Sequence, residues 1–208
     1  MSSYFDSGML GNTIKMFNSS SGKSMFSNCE AEAILYYLYM MADGEVSFRE
    51  EKIFDKICKE LKIEIAEQEK LIEKCKEMIS GKTDVLEIIV SEGIDKQAVW
   101  RPFLGRRDAS SLARITWNLV NLGYADLFYS DEEKKIVHYL VDKWSISSDV
   151  YQEFVDTADT MLALGKQKEW IISKFSKGSV RDKKEKEIDL KIKQLLDEVK
   201  LTIEEITM

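Results

Sequence analysis

Two short stretches of the chain carry the same acidic pattern, Asp-x3-Ser-x2-Glu. One copy is Asp43, Ser47 and Glu50; the other is Asp126, Ser130 and Glu133. Carboxylates are the hard oxygen donors that hold Ca²⁺, Mg²⁺ or Mn²⁺, rather than Zn²⁺. Four of them brought together repel one another, and their pKa values rise unless a cation or a Lys or Arg side chain compensates. Asp43, Glu50, Asp126 and Glu133 are therefore the candidate metal ligands. The same residues also support a purely structural reading. Ser47 with Glu50, and Ser130 with Glu133, match capping boxes, each worth about 1 kcal/mol of helix stability. On that reading the two aspartates are only turn formers. They follow apolar helical runs, however, close to helix C-termini where the macrodipole disfavours an anion. The pattern by itself leaves both readings open.

The elements that must position these loops are helices. The chain has one proline, Pro102, and 10 glycines, and its apolar residues recur at helical spacing. Ser27-Asn28-Cys29-Glu30 is a capping box that opens a helix running to about Ala42. Gly44 allows the turn, and Ser47 opens a second helix carrying Ile53, Phe54, Ile57, Cys58 and Leu61 on one face. A third helix spans Ile65 to Ile79, and Gly81 ends it. Thr83 to Ser91 reads as a short helix, and residues 92–108 as a connector. The pattern then restarts with helices over Ser110 to Leu122, Ser130 to Trp144 and Ser147 to Leu164, the last broken by Gly165.

A shift of 83 residues places Ala42-Asp43 on Ala125-Asp126, Ser47 on Ser130, Glu50 on Glu133, Ile63 on Ile146 and Met78 on Met161. The register needs no gap. Two helix–loop–helix units facing each other across a pseudo-twofold would bury a shared core that neither buries alone. The expected fold is thus an all-α bundle of two pseudo-repeated units plus a C-terminal amphipathic helix. Its parts are a flexible N-terminal arm at 1–26, a helical domain at 27–165 and a charged helical extension at 166–208. In that extension Ile188, Ile192, Leu195, Val199, Ile203 and Ile206 form an apolar stripe. The stripe needs a partner, which is the domain itself, another protein, or a second copy in a short coiled coil.

Composition bounds the function. A net charge of −7 argues against non-specific nucleic-acid binding, which draws on excess Lys and Arg, and leaves room for a local basic patch. Cys29, Cys58 and Cys75 form no Cys-x-x-Cys pair, which points to reduced thiols in a cytoplasmic protein. Cys58 and Cys75 read as small buried hydrophobes. The opening segment lacks the basic start and apolar core of a secretory signal, and no apolar run approaches the roughly 20 residues that span a bilayer. His138 has no Ser, Cys or Asp at catalytic spacing and reads as a surface histidine. Tyr36, Tyr37 and Tyr39 read as core. Ser20-Ser21-Gly22-Lys23-Ser24 lacks the leading glycine and the strand of a true P-loop. Arg101, Arg106 and Arg107 form a small basic cluster in a solvated connector. Asp43-Gly44 through Glu50 looks like the second half of an EF-hand loop, but Tyr39 and Met41 stand where that loop needs Asp or Asn.

Ala42-Asp43-Gly44-x5-Glu50-Glu51 after an apolar helix, repeated as Ala125-Asp126-x6-Glu133, resembles the signature of TerB-like domains, the tellurite-resistance family. The likeness covers residues 28 to 164. It implies a compact helical bundle with an acidic, metal-binding cluster at Asp43, Glu50, Asp126 and Glu133, with Glu51 as a further candidate. It also implies a role in resistance to tellurite or other chemical stress. Leu127 replaces the motif glycine in the second copy, so that loop departs from the pattern. The expectation is a cation-binding module that acts through protein partners, with a homo-oligomer through the C-terminal helix as one form of assembly. The alternative is a metal-independent interaction protein that recruits its partner through that helix. A metal-dependent hydrolase would need a cleft and a base beside the ion, and no residue pattern supplies them.

Overall fold

A computed structural model describes residues 26–82, 84–101, 106–107, 109–125 and 129–206, the side chains of residues 100–110 excepted. Among the described residues it is an all-α bundle. The helices are α1 (Asn28–Met40), α2 (Phe48–Glu60), α3 (Ile65–Ile79), α4 (Val85–Ser91), α5 (Ile94–Gln97), α6 (Ala109–Gly123), α7 (Asp131–Trp144), α8 (Ser148–Lys174) and α9 (Ser179–Glu205). Between α5 and α6 a two-residue antiparallel ladder, β1 (Trp100–Arg101) with β2 (Arg106–Arg107), closes the connector. No helix among the described residues is long and apolar enough to cross a membrane.

The core is built around α1. Ser27 caps it as expected: its Oγ accepts from Glu30 N at 3.2 Å, and Glu30 Oε2 accepts from Ser27 N at 2.7 Å. Every residue from Ala31 to Met40 is buried. A helix that is apolar on all sides must be surrounded, and α1 packs on α2, α3, α4, α5, α6 and α7. Each fully buried Leu or Ile, such as Leu35 or Ile115, contributes roughly 1.5–3 kcal/mol. Two charges cross this core. Glu32 of α1, 1% exposed, takes both guanidinium nitrogens of Arg114 of α6, at 2.6 and 2.8 Å. It also accepts from the Tyr36 hydroxyl at 2.8 Å, and Asn118 donates to that hydroxyl at 3.1 Å. Burial works against the Arg114 charge, and the Glu32 carboxylate outweighs it and holds the guanidinium protonated. A second buried acid, Asp95, pairs with Lys143 and accepts from the Tyr139 hydroxyl, tying α5 to α7.

The sequence repeat extends to the backbone. Helices α1, α2 and α3 correspond to α6, α7 and α8 under the 83-residue shift. Lys62 and Ser145, equivalent under that shift, are the two non-glycine residues with positive φ among those described, at 60° and 57°. The turns they make close identically. Ile63 N donates to Cys58 O at 2.9 Å, and Ile146 N donates to Val141 O at 3.0 Å. Cys58 and Cys75 are fully buried in the core, and burial pushes both thiols up to about 12.

The C-terminal region differs from expectation at one point. Gly165 does not end α8, which runs on to Lys174. Glycine inside a helix costs about 1 kcal/mol relative to alanine, and the packing of α9 along α8 outweighs it. The two helices run antiparallel, joined near one end by Thr202 Oγ1 donating to Glu153 at 2.6 Å and near the other by Lys168 with Asp189 at 2.5 Å. Ile188 and Val199 of the apolar stripe are buried within the chain itself. Phe26 of the N-terminal arm docks, its amide donating to Gln97 Oε1 at 3.2 Å and Lys74 lying over its ring. Met16, Phe17 and the Ser20–Ser24 segment lie outside the described residues.

Candidate functional site

The first acidic loop leaves α1 at Met41 and turns at Gly44, whose φ of 99° lies in the left-handed region that favours glycine. Asp43 is exposed, and its Oδ1 accepts from Glu45 N at 3.2 Å in an Asx turn. Ser47 then caps α2. Its Oγ accepts from Glu50 N at 3.2 Å, and Glu50 Oε2 accepts from Ser47 N at 2.7 Å. The capping box is therefore real, yet Glu50 is only 3% exposed. A carboxylate with nothing but a capping duty ordinarily sits at a solvated helix end.

The second loop leaves α6 at Gly123. Residues 126–128 lie outside the described residues, and Asp126 with them. Ser130 caps α7 in the same manner, with closer engagement. Glu133 Oε2 accepts from both Ser130 N, at 2.8 Å, and Ser130 Oγ, at 2.9 Å. Glu133 is also 3% exposed. Burial pushes its carboxyl up to about 7 against the Ser130 donors, and the negative charges of Glu50 and Asp43 add to the rise. Glu50 and Asp43 of the first half thus act on Glu133 of the second.

Two phenols, Tyr39 and Tyr129, feel the second carboxylate. Tyr39, in the last turn of α1, is fully buried, and its hydroxyl lies beside Tyr129 without a hydrogen bond of standard geometry. Burial, then Tyr129 and Glu133, hold that phenol well above its usual range. The Tyr129 and Tyr151 hydroxyls stand 3.5 Å apart, and the Tyr124 and Tyr129 rings 5.0 Å apart. This cluster fits only because α6 ends in glycine. A Cβ on Gly123 would stand 2.4 Å from the Tyr39 oxygen and 2.7 Å from the Tyr129 ring. The sequence did not expose this contact. Tyr39 reads only as core, and nothing local to Gly123 reports what lies opposite it.

The donor set is oxygen throughout: carboxylates, an orphaned buried hydroxyl and serine-capped loops. That chemistry fits a hard divalent ion and disfavours a soft one. Among the described residues no group of three or more His, Cys, Asp or Glu side chains stands in metal-ligand geometry, and Asp126 is not among those residues. Glu51, the further candidate, is exposed. An open cleft of about 200 Å³ adjoins the loops, lined by Arg49, Asn121, Ala125, Met161 and Lys166 among others, but by none of the motif carboxylates. His138 is exposed and packs edge to face with Tyr151, 5.3 Å between ring centroids. The side chains of Arg101, Arg106 and Arg107 lie outside the described residues. Set against known proteins, the chain matches no family model, no curated protein and no solved structure.

Proposed function

We propose that this protein is a divalent-cation-binding helical module, with Glu50 and Glu133 as central ligands and Asp43 and Asp126 completing the set. The observation that carries this reading is the burial of two capping glutamates, one from each half, at equivalent helix starts. Glu133 and Glu50 come from opposite halves, both are nearly inaccessible, and Asp43 adds a third negative charge. Burial and the neighbouring acidic residues disfavour the ionised form of Glu133. A hard cation between the loops removes that cost and clamps the two halves together. The buried Tyr39 hydroxyl, which feels the Glu133 charge, is a further oxygen for such an ion.

The cellular role rests on the motif likeness to TerB-like domains. On that likeness the module serves a response to tellurite or related chemical stress and acts by presenting a cation-dependent surface to a protein partner. The alternative, recruitment of a partner or a second copy through the apolar stripe of the tail, has less support, because Ile188 and Val199 of that stripe are already covered by the chain.

Melting of chelator-treated protein with and without Ca²⁺, Mg²⁺ or Mn²⁺ tests the cation. At a free concentration 100 times Kd, a bound ion stabilises the fold by about 2.7 kcal/mol, a rise of several degrees in Tm. The Glu50→Gln/Glu133→Gln variant should stay folded and show no rise. An unchanged Tm for the wild type with all three ions contradicts the reading.

A further inference from the structure

The tip of the α8–α9 hairpin has a character unlike the rest of the chain. Trp170, Ile172 and Val180 flank the turn and are 55%, 41% and 60% exposed. No residue from 172 to 187 is buried, so the hairpin has left the core by that point. Ile171 and Ile188 are the last buried residues on either side, and the Lys168–Asp189 pair holds the two helices together there. The tip is organised rather than frayed. The Trp170 and Phe175 rings meet edge to face at 6.2 Å, Lys184 lies over Phe175 at 5.6 Å, and Arg181 pairs with Glu185 at 2.6 Å.

Charge sets this tip apart as well. From Trp170 to Lys184 there are five basic residues and one acidic, a local net of +4 in a chain whose total is −7. Lys174, Lys177, Lys183 and Lys184 are all exposed. An exposed tryptophan with aliphatic neighbours in a ring of lysines is the composition that sits at a headgroup boundary. The apolar side chains enter the interface, and the ammonium groups meet anionic headgroups. We propose that the α8–α9 tip docks on an anionic lipid surface.

Charge complementarity alone also suits a nucleic acid, and two observations favour lipid. Ile172 and Val180 gain from an acyl boundary and give a base nothing to stack on, while the exposed Trp170 suits either partner. The body behind the tip is strongly acidic and repels a long polyanion lying along it, while a bilayer meets only the end of a projecting hairpin. Two helices already packed against each other lose little freedom on docking. This surface is independent of the acidic site.

The test is co-sedimentation of the full chain with vesicles of phosphatidylcholine alone or mixed with phosphatidylserine. Partition onto the mixed vesicles should exceed that onto the neutral ones by about tenfold or more and weaken as salt is raised. Lys174→Glu/Lys177→Glu and Trp170→Ser/Ile172→Ser alter exposed side chains, so helical circular dichroism should be kept while binding falls about tenfold in each. Equal or absent partition onto the two vesicle types overturns the proposal. So does undiminished binding by the charge-reversed variant, or capture of a single-stranded oligonucleotide with no vesicle binding.

Discussion

The two halves of the molecule carry one motif in two environments. In the first, the loop is open: Asp43 is exposed, Gly44 takes the positive φ, and the Ser47 hydroxyl accepts one bond from the Glu50 amide. In the second, the Ser130 hydroxyl both accepts from the Glu133 amide, at 3.1 Å, and donates to the Glu133 carboxylate, whose charge is felt by Tyr39 and Tyr129. The helix before the loop ends in Met40 in the first half and in Gly123 at the equivalent place in the second. That single difference admits Tyr39 of α1 to the second loop. A repeat thus keeps its helix start while packing gives its second glutamate different neighbours.

The sharpest way to break this arrangement is to separate the helices that present the two loops. Arg114→Ala leaves Glu32 buried without its partner and should cost roughly 3–5 kcal/mol, read as a lowered denaturation midpoint with an unchanged slope. Next comes the Gly123 contact. Gly123→Ala drives a methyl group into Tyr39 and Tyr129 and should cost about 1–3 kcal/mol, whereas Met40→Leu in the first half should cost less than about 1.5 kcal/mol. If the two substitutions cost the same in chemical denaturation, the asymmetry of the halves is not as described.

A pH series tests Glu133. Glu133 has its folded pKa raised from 4.5 to about 7. A carboxyl raised in the folded state favours folding while it is protonated, so this contribution is complete below about 4.5 and is lost as pH rises through about 7. Chelated protein should therefore lose on the order of 2–3 kcal/mol between these limits. Glu133→Gln should flatten that slope, and a slope that persists in the variant assigns it elsewhere. The smallest effect belongs to the caps. Ser47→Ala and Ser130→Ala should each cost about 0.5–2 kcal/mol, Ser130 the more because its hydroxyl serves twice, as thermal melts of the two variants will show.

Much of the fold is legible in residue order because its signals are local. Three capping boxes mark the starts of α1, α2 and α7. The periodic run from Ile65 to Ile79 is α3 at both ends, and the 83-residue register matches α1, α2 and α3 to α6, α7 and α8. What is hidden depends on contacts between distant positions. Gly165 reads as a helix end, since nothing nearby tells that α9 returns along α8. The connector at 92–108 holds α5 and a short ladder, elements too brief for any periodicity. Glu32 and Arg114 are visible as charges in apolar runs, but their pairing across the core is not. The site is half legible on the same terms. Its residue types and spacing stand in the sequence, while the burial of Glu50 and Glu133 and the approach of Tyr39 come from packing.

The most direct test of the cation site is calorimetric titration of chelator-treated protein with Ca²⁺, Mg²⁺ and Mn²⁺ at a pH on either side of 7, beside the Asp43→Asn/Asp126→Asn variant. The account predicts saturable binding of at least one ion, tighter at the higher pH where Glu133 has lost its proton, and absent from the variant. A folded wild type that binds none of the three at either pH, or a variant that binds as well as the wild type, contradicts it and leaves the two motifs as helix caps.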